Sequence, residues 1–176
     1  RIKQLKPGLY QVRVAARDGK SGLVGSAVRW ILIPDLASRK LALSSLLLGE
    51  QASGTKKEKT PVAAETALAG VDLSVDRRFS RSSRLRYVFF IYNAARGKKS
   101  AATPDVTVET KILRGGDVLL ASPARQISAA GQDGARLPYA AEMDLNWLAP
   151  GRYEIQVTVQ DRIAKTTVTQ SAGFSV

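Results

Sequence analysis

The sequence predicts an all-β fold, an antiparallel sandwich of two sheets preceded by a separate hairpin, and three observations lead there. The stretch "LKPGLYQVRVAARD" at 5–18 recurs as "LAPGRYEIQVTVQD" at 148–161. Within the copies Tyr10, Val12, Val14 and Ala16 alternate with Gln11, Arg13, Ala15 and Arg17, and Tyr153, Ile155, Val157 and Val159 alternate with Glu154, Gln156, Thr158 and Gln160. A period of two marks a strand with one buried face. Turn signals divide the region from about 38 to 176 into roughly seven short strands, and no run carries a long helical period.

The repeat keeps an offset of 143 positions from Leu5 over Leu148 to Ile33 over Val176, without a gap. Each copy opens on a Pro-Gly turn, Pro7-Gly8 or Pro150-Gly151, and reaches a turn-forming Asp18 or Asp161 before a second extended run. Each therefore reads as a hairpin. If 148–176 closes one sandwich, 5–33 closes another, so the expected organisation is a C-terminal hairpin of a truncated upstream sandwich over 1–35 and a complete sandwich domain over 36–176. The competing arrangement packs 1–35 into the second domain as extra strands. "SAVRWILI" at 26–33 is apolar on both strand faces and calls for cover on two sides.

The elements of the second domain follow in order. "KLALSSLLLGE" (40–50) reads as a first strand, and the Ala-, Lys-, Thr- and Gly-rich segment near 51–69 as a long flexible loop, with a helix through "VAAETALAG" as the alternative. "SRLRYVFFIYNAA" is the strongest strand. Leu85, Tyr87, Phe89 and Ile91 face one way and Val88, Phe90 and Tyr92 the other, so it belongs at the centre of a sheet or beneath a neighbouring domain. "DVTVETKILRGGDVLLAS" is a hairpin in which Gly115 and Gly116 supply positive φ, with Val106, Val108, Thr110 and Ile112 inward. "YAAEMDLNWL" then runs as a strand into the second Pro-Gly turn.

A Pro-Gly turn followed two residues later by a tyrosine at the head of a penultimate strand resembles the tyrosine corner of immunoglobulin-like sandwiches, in which the phenol bonds back to nearby backbone. Tyr10 and Tyr153 occupy that place; the plainer reading makes them core aromatics. The fold class expected is thus an immunoglobulin-like or fibronectin III-like antiparallel β-sandwich. Over "KLALSSLLLGE", "RRFSRSSRLRYVFFIYNAA", "PDVTVETKILRGG" and "LAPGRYEIQVTVQD" the chain also resembles the C-terminal portion of large von Willebrand factor type A-related proteins of Acidobacteria-like bacteria. That resemblance implies β-sandwich repeats behind an α/β domain, in an exported protein, and hence an extracytoplasmic location. It also implies that the other domains of the same parent chain are partners. The adhesion motif of true von Willebrand domains, Asp-x-Ser-x-Ser, is not matched, because "DLSVD" (72–76) ends in Asp76; it reads as a turn with no metal assigned.

Composition narrows the chemistry. The 176 residues, 44% hydrophobic and 24% charged, suit a globular chain of one domain or somewhat more. With no His and no Cys, the usual general base, the usual zinc ligands and the Ser/His and Cys/His nucleophile pairs are missing. No cofactor is expected. Lys and Arg number 27 against 15 acids, a formal charge of +12 that favours anionic surroundings. The longest apolar run, 41–49, is too short to cross a bilayer, so no transmembrane segment is expected, and nothing at the N-terminus resembles a signal peptide.

The densest basic stretch is "DRRFSRSSRLR", with Arg77, Arg78, Arg81, Arg84 and Arg86 around Phe79. Arginines contact phosphates or carboxylates bidentately, and an interleaved aromatic can stack on a base or sugar. "KKEK" (56–59) and "ARGKK" (95–99) add to one positive face if the loops converge. The plainer reading is a solvated loop, since no nucleic-acid motif accompanies the charge and nucleic acid is not the expected partner. Trp30 and Trp147 sit in apolar runs and read as core or inter-domain packing. Glu142 and Asp144 share a strand face, but neighbours on one strand do not flank a cleft as a glycosidase pair does. Ser44 and Ser45 have no visible activating base. The expectation is a non-enzymatic spacer or protein-interaction module. The alternative is a domain that binds an anionic polymer of the cell envelope, or nucleic acid, through the Arg77 to Arg86 segment.

Overall fold

The computed structural model describes residues 5–51, 71–97, 103–127 and 135–176. The chain divides into two compact units, 1–39 and 40–176. Among the described residues no helix is long and apolar enough to cross a membrane. The loop expected near 51–69 and its helical alternative at 62–70 fall, from 52 onward, outside the described residues, as do "KKEK" and Lys98-Lys99.

The first unit is one antiparallel ribbon of β1 (Gly8–Arg17) and β2 (Val24–Ile33), paired from Gly8 opposite Ile33 to Arg17 opposite Val24. Its turn is organised by Asp18. The Asp18 backbone N–H donates to Leu23 O at 2.8 Å, its Oδ1 accepts from Lys20 N at 2.9 Å, and its Oδ2 accepts from Ser21 Oγ at 2.6 Å. These bonds, the Ser21 hydroxyl first, hold the exposed Asp18 carboxyl below its ordinary pKa. A short 3₁₀ turn, Leu36–Ser38, follows, capped by Asp35 Oδ1 accepting from Ala37 N.

The second unit is a sandwich. One sheet has the order β10 (Arg136–Asp144), β6 (Arg84–Tyr92), β4 (Leu47–Gln51), β5 (Val71–Leu73), with β3 (Ala42–Leu43) also on β6. The other has the order β12 (Thr166–Ser175), β11 (Arg152–Asp161), β7 (Val106–Arg114), β8 (Asp117–Ala121), with β9 (Arg125–Ile127) also on β7. All these strand pairings are antiparallel. The inner faces share one apolar cluster: Leu85, Tyr87, Phe89, Ile91 and Leu137 from the first sheet meet Val106, Val108, Ile112, Ile155, Val157 and Val159 from the second. This is the layered solution open to two sheets that each have one apolar face.

The central strand behaves as its composition requires. β6 is hydrogen-bonded on both edges, and Val88 and Phe90, which point away from the shared core, are buried as well. The Arg136 guanidinium lies 4.1 Å from the Phe90 ring centre, covering the ring with a cation. Inside the core Tyr87 Oη lies 3.0 Å from Thr110 Oγ1, and burial pushes the phenols of Tyr87 and Tyr139 above their ordinary pKa.

The first strand of the sandwich departs from the sequence expectation: it is broken. Leu43 pairs with Ile91 and Leu47 with Val88, so four steps along one strand match three along the other. This is a β-bulge over Ser44–Leu46, and it reverses side-chain parity, so that Leu43, Leu46 and Leu48 are all buried. Ser44 bridges the break, its N–H donating to Phe90 O and its Oγ accepting from Phe90 N, both at 2.9 Å. The β7–β8 turn follows the expectation, with Gly115 at φ 61 and Gly116 at φ 98 between Arg114 and Asp117. Sequence reading missed β9, which lines the same edge of β7 as β8 beyond a break at Pro123. Proline cannot donate to a ladder, so the edge is interrupted there.

The two ribbons of the repeat match in register as well as in sequence. β1 pairs Leu9 with Leu32, and β11 pairs the equivalent Arg152 with Ser175. Tyr10 Oη donates to Lys6 O at 2.8 Å and Tyr153 Oη donates to Ala149 O at 2.5 Å, each four residues upstream. Gly8 and Gly151 hold φ 151 and φ 156, a region that disfavours other residues. At Gly151 an added Cβ would also lie 3.1 Å from Arg114 Nη2. Tyr153→Phe is expected to lower the stability of the sandwich by about 1 kcal/mol, since it orphans a partly buried acceptor. Tyr10→Phe, with its bond exposed, should leave the unfolding midpoint nearly unchanged. Chemical denaturation of the two variants checks the contrast, and equal losses would contradict it.

Candidate functional site

The arginine-rich stretch runs from the end of β5 into β6, and its backbone is fixed before any ligand arrives. After Leu73 the chain turns on Ser74 and Asp76. Ser74 Oγ donates to Asp76 Oδ1 at 2.8 Å and accepts from Arg77 N at 3.0 Å. The Ser74 hydroxyl, then the Arg78 backbone N–H, hold the exposed Asp76 carboxyl below its ordinary pKa. Arg77 takes φ 54, and the chain then binds the end of β12, with Ser175 N donating to Arg77 O and Phe79 N donating to Ser175 O, both at 2.9 Å. "DLSVD" is therefore a strand end followed by a side-chain-closed turn. Among the described residues no group of three or more His, Cys, Asp or Glu is placed to hold a metal ion.

The five arginines do not form one open cluster. Arg84 and Arg86 are the first and third residues of β6, directly opposite Asp144 and Glu142 of β10. Arg86 Nη1 donates to Glu142 Oε1 at 2.9 Å, Arg84 Nη1 is 3.5 Å from Glu142 Oε2, and Arg84 Nε is 2.8 Å from Asp144 Oδ1. The two carboxylates that share a strand face are thus the counter-ions of the two arginines that share the facing one. Cross-strand pairs of this kind contribute roughly 0.2–1 kcal/mol each and neutralise the face they occupy. Arg86 Nε is buried without a hydrogen-bond partner, and Arg84 Nε is buried and close to Asp144 without an aligned bond. Ser83 Oγ donates to Glu50 Oε1 at 2.8 Å, and Arg81 Nη2 donates to Asn146 O at 2.7 Å. Among the described residues the side chains of Arg77 and Arg78 make no hydrogen bond or ion pair of this kind, although the Arg78 charge contributes to holding the Asp76 carboxyl down.

The aromatic within the stretch is not available for stacking. Phe79 is buried, with its ring centre 6.3 Å from that of Phe174 in an edge-to-face arrangement. The two tryptophans correct the core half of the expectation stated for them. Trp30 is 62% exposed and Trp147 45% exposed, so neither is a core residue. Leu145 and Leu148 fill the core on either side of Trp147, whose Nε1 donates to Asp144 O at 2.7 Å and pins the indole at the surface. Arg81 bonds the residue beside it. Sequence reading missed this bond between Arg81 and the Asn146 carbonyl beside the indole, since no local signal links residues 65 positions apart.

Of the further basic segments, "KKEK" and Lys98-Lys99 lie outside the described residues, and Arg96 is the charged residue of "ARGKK" that lies within them. Arg77, Arg78 and Arg81 precede Arg84, the first residue of β6, whereas Arg96 follows Tyr92, the last. A nine-residue strand spans about 30 Å, which sets Arg96 apart from those three arginines. Among the described residues the site offers an exposed Arg78 beside a half-buried Arg77, a third arginine held by a carbonyl, and a partly exposed indole. No protein-family model matches the sequence, and no curated protein does.

Proposed function

We propose that the chain is a non-catalytic β-sandwich module of a larger bacterial von Willebrand factor type A-related protein, acting outside the cytoplasm as a spacer or protein-interaction domain. Residues 1–35 are the closing hairpin of an upstream sandwich and 36–176 a complete immunoglobulin-like or fibronectin III-like domain. The observation that carries this reading is the pair of matched ribbons. Val12 and Val14 are 42% and 61% exposed, while their equivalents Ile155 and Val157 are both 0% exposed. The same alternating side chains are covered in one ribbon and bare in the other, as two copies of one motif would be if only one had its facing sheet. The sheet order, with β10-β6-β4 against β12-β11-β7-β8, and the hydroxyl bonds of Tyr10 and Tyr153 favour the immunoglobulin-like class. The extracytoplasmic setting and the parent family rest on the sequence resemblance alone.

The alternative, binding of an anionic polymer, loses support where Arg84 and Arg86 meet Glu142 and Asp144. Binding of heparin and of a single-stranded oligonucleotide, measured across salt concentrations, separates the two. A spacer shows weak binding that Arg77→Ala, Arg78→Ala and Arg81→Ala together barely alter. Tight binding with a steep salt slope, abolished by those three changes, would replace the spacer reading with the anionic-polymer one.

A further inference from the structure

Among the described strands β1 pairs only with β2, leaving its other edge without a ladder. The repeat says what belongs there. β11, the equivalent of β1, pairs with β12 on one edge and with β7 on the other, from Glu154 opposite Leu113 to Asp161 opposite Val106. We propose that the open edge of β1 receives an extended protein strand, antiparallel and in the register that β7 holds on β11, with aliphatic residues inward and acidic residues outward. This rests on reading the ribbon as a sandwich hairpin and adds the chemistry of what completes it.

The inward half of that description comes from the face Tyr10, Val12, Val14 and Ala16, whose counterparts on β11 meet Ile112, Thr110 and Val108 of β7. The outward half comes from a difference between the twins. β11 carries Glu154, Gln156, Thr158 and Gln160 on its outer row, whereas β1 carries Gln11, Arg13, Ala15 and Arg17. Moved onto β1 in the same register, the outer residues of β7 put Thr107 opposite Arg17, Glu109 opposite Ala15 and Lys111 opposite Arg13. Lysine facing Arg13 is repulsive, and directly opposed like charges destabilise a strand pair while opposite charges stabilise it. The matching strand therefore carries acids opposite Arg13 and Arg17. A second copy of the chain does not supply it. Among the described strands none carries two acids four residues apart, as Arg13 and Arg17 are, and the nearest match, Glu142 and Asp144 of β10, is spaced by two and already faces Arg86 and Arg84. The repeat also selects the edge, because β2 is equivalent to β12, which lies at the end of its own sheet.

The test titrates the isotope-labelled chain with a synthetic peptide copying 106–113 with Thr107→Glu and Lys111→Glu, followed by amide shifts and hydrogen exchange. The expected result is protection of amides within 8–17 and not within 24–33 or 166–175. Arg13→Glu with Arg17→Glu in the chain should weaken binding about tenfold, and a peptide with lysine at the same two positions should regain it. No effect on 8–17 at millimolar peptide, equal binding of both peptides by both chains, or occupation of the edge by a second copy would each overturn the inference. Failure of the underlying reading looks different: the contacts of Tyr10 with Ile31 and Val12 with Arg29 would themselves be missing from the spectra of the free chain.

Discussion

Replacing Phe89 by alanine should lower the stability of the sandwich by about 3–5 kcal/mol, the largest loss expected from any single truncation in the chain. Phe89 is fully buried at the middle of the central strand, and its ring centre lies 5.0 Å from that of Tyr139, directly opposite on β10. Val108 and Ile112 of β7 and Ile155 and Val157 of β11, from the other sheet, belong to the same buried cluster. These side chains belong to hydrogen-bonded ladders that cannot move inward to fill the space, so the transfer loss of the ring and the cavity term add. A domain of this size is stabilised by roughly 5–15 kcal/mol in total, so the variant sits at the margin of folding. Guanidinium denaturation followed by Trp147 fluorescence in a Trp30→Phe background isolates the sandwich from the ribbon. Val75→Ala, at a side chain 99% exposed, is the control and should shift the midpoint little. A loss under about 1 kcal/mol for Phe89→Ala would mean that the two sheets do not share a close-packed interior.

The elements that the sequence exposed are those with one wet face. β7 and β11 alternate cleanly because solvent and core impose different chemistry on successive residues, and the run Val106, Val108, Thr110, Ile112 is buried as its spacing requires. β6 was legible for the opposite reason, since only a strand covered on both faces tolerates Tyr-Val-Phe-Phe-Ile in succession. The bulge at Ser44–Leu46 was hidden because "LALSSLLLG" is apolar at both parities, so no alternation exists whose reversal could be noticed. The candidate site was hidden by distance along the chain. Glu142 and Asp144 were visible as a same-face pair, and Arg84 and Arg86 as members of the arginine-rich stretch. That one pair faces the other depends on the register of β10 on β6, set by contacts more than 50 residues apart. The charge that reads as an exposed basic patch in one dimension is in part a compensated strand pair in three. That Phe79 is a core ring and not one free to stack was hidden for the same reason: its partner Phe174 lies near the far end of the chain.

Asp161→Ala should be the most destructive change outside the apolar core, at roughly 3 kcal/mol or more, and its twin gives the comparison that explains why. Asp161 is 0% exposed. Its Oδ1 accepts from Ile163 N and Ala164 N, both at 2.9 Å, which closes the β11–β12 turn, and its Oδ2 accepts from Ala95 N at 2.6 Å, which ties that turn to the segment after β6. Truncation leaves three N–H groups without their acceptor, and a buried orphan donor costs about 1–3 kcal/mol. Asp18 makes the local half of the same arrangement, its Oδ1 accepting the N–H two residues on, but it lies at the surface of a two-stranded ribbon. Asp18→Ala should therefore leave the unfolding midpoint almost where it was, because water takes over the exposed groups. Asp161→Asn keeps one carbonyl acceptor and should fall between wild type and alanine. Denaturation curves of the three variants, with hydrogen exchange at Ala95, Ile163 and Ala164, provide the measurement. If Asp18→Ala and Asp161→Ala cost the same, burial is not what distinguishes the two ribbons, and the contrast between a covered hairpin and a bare one fails with it.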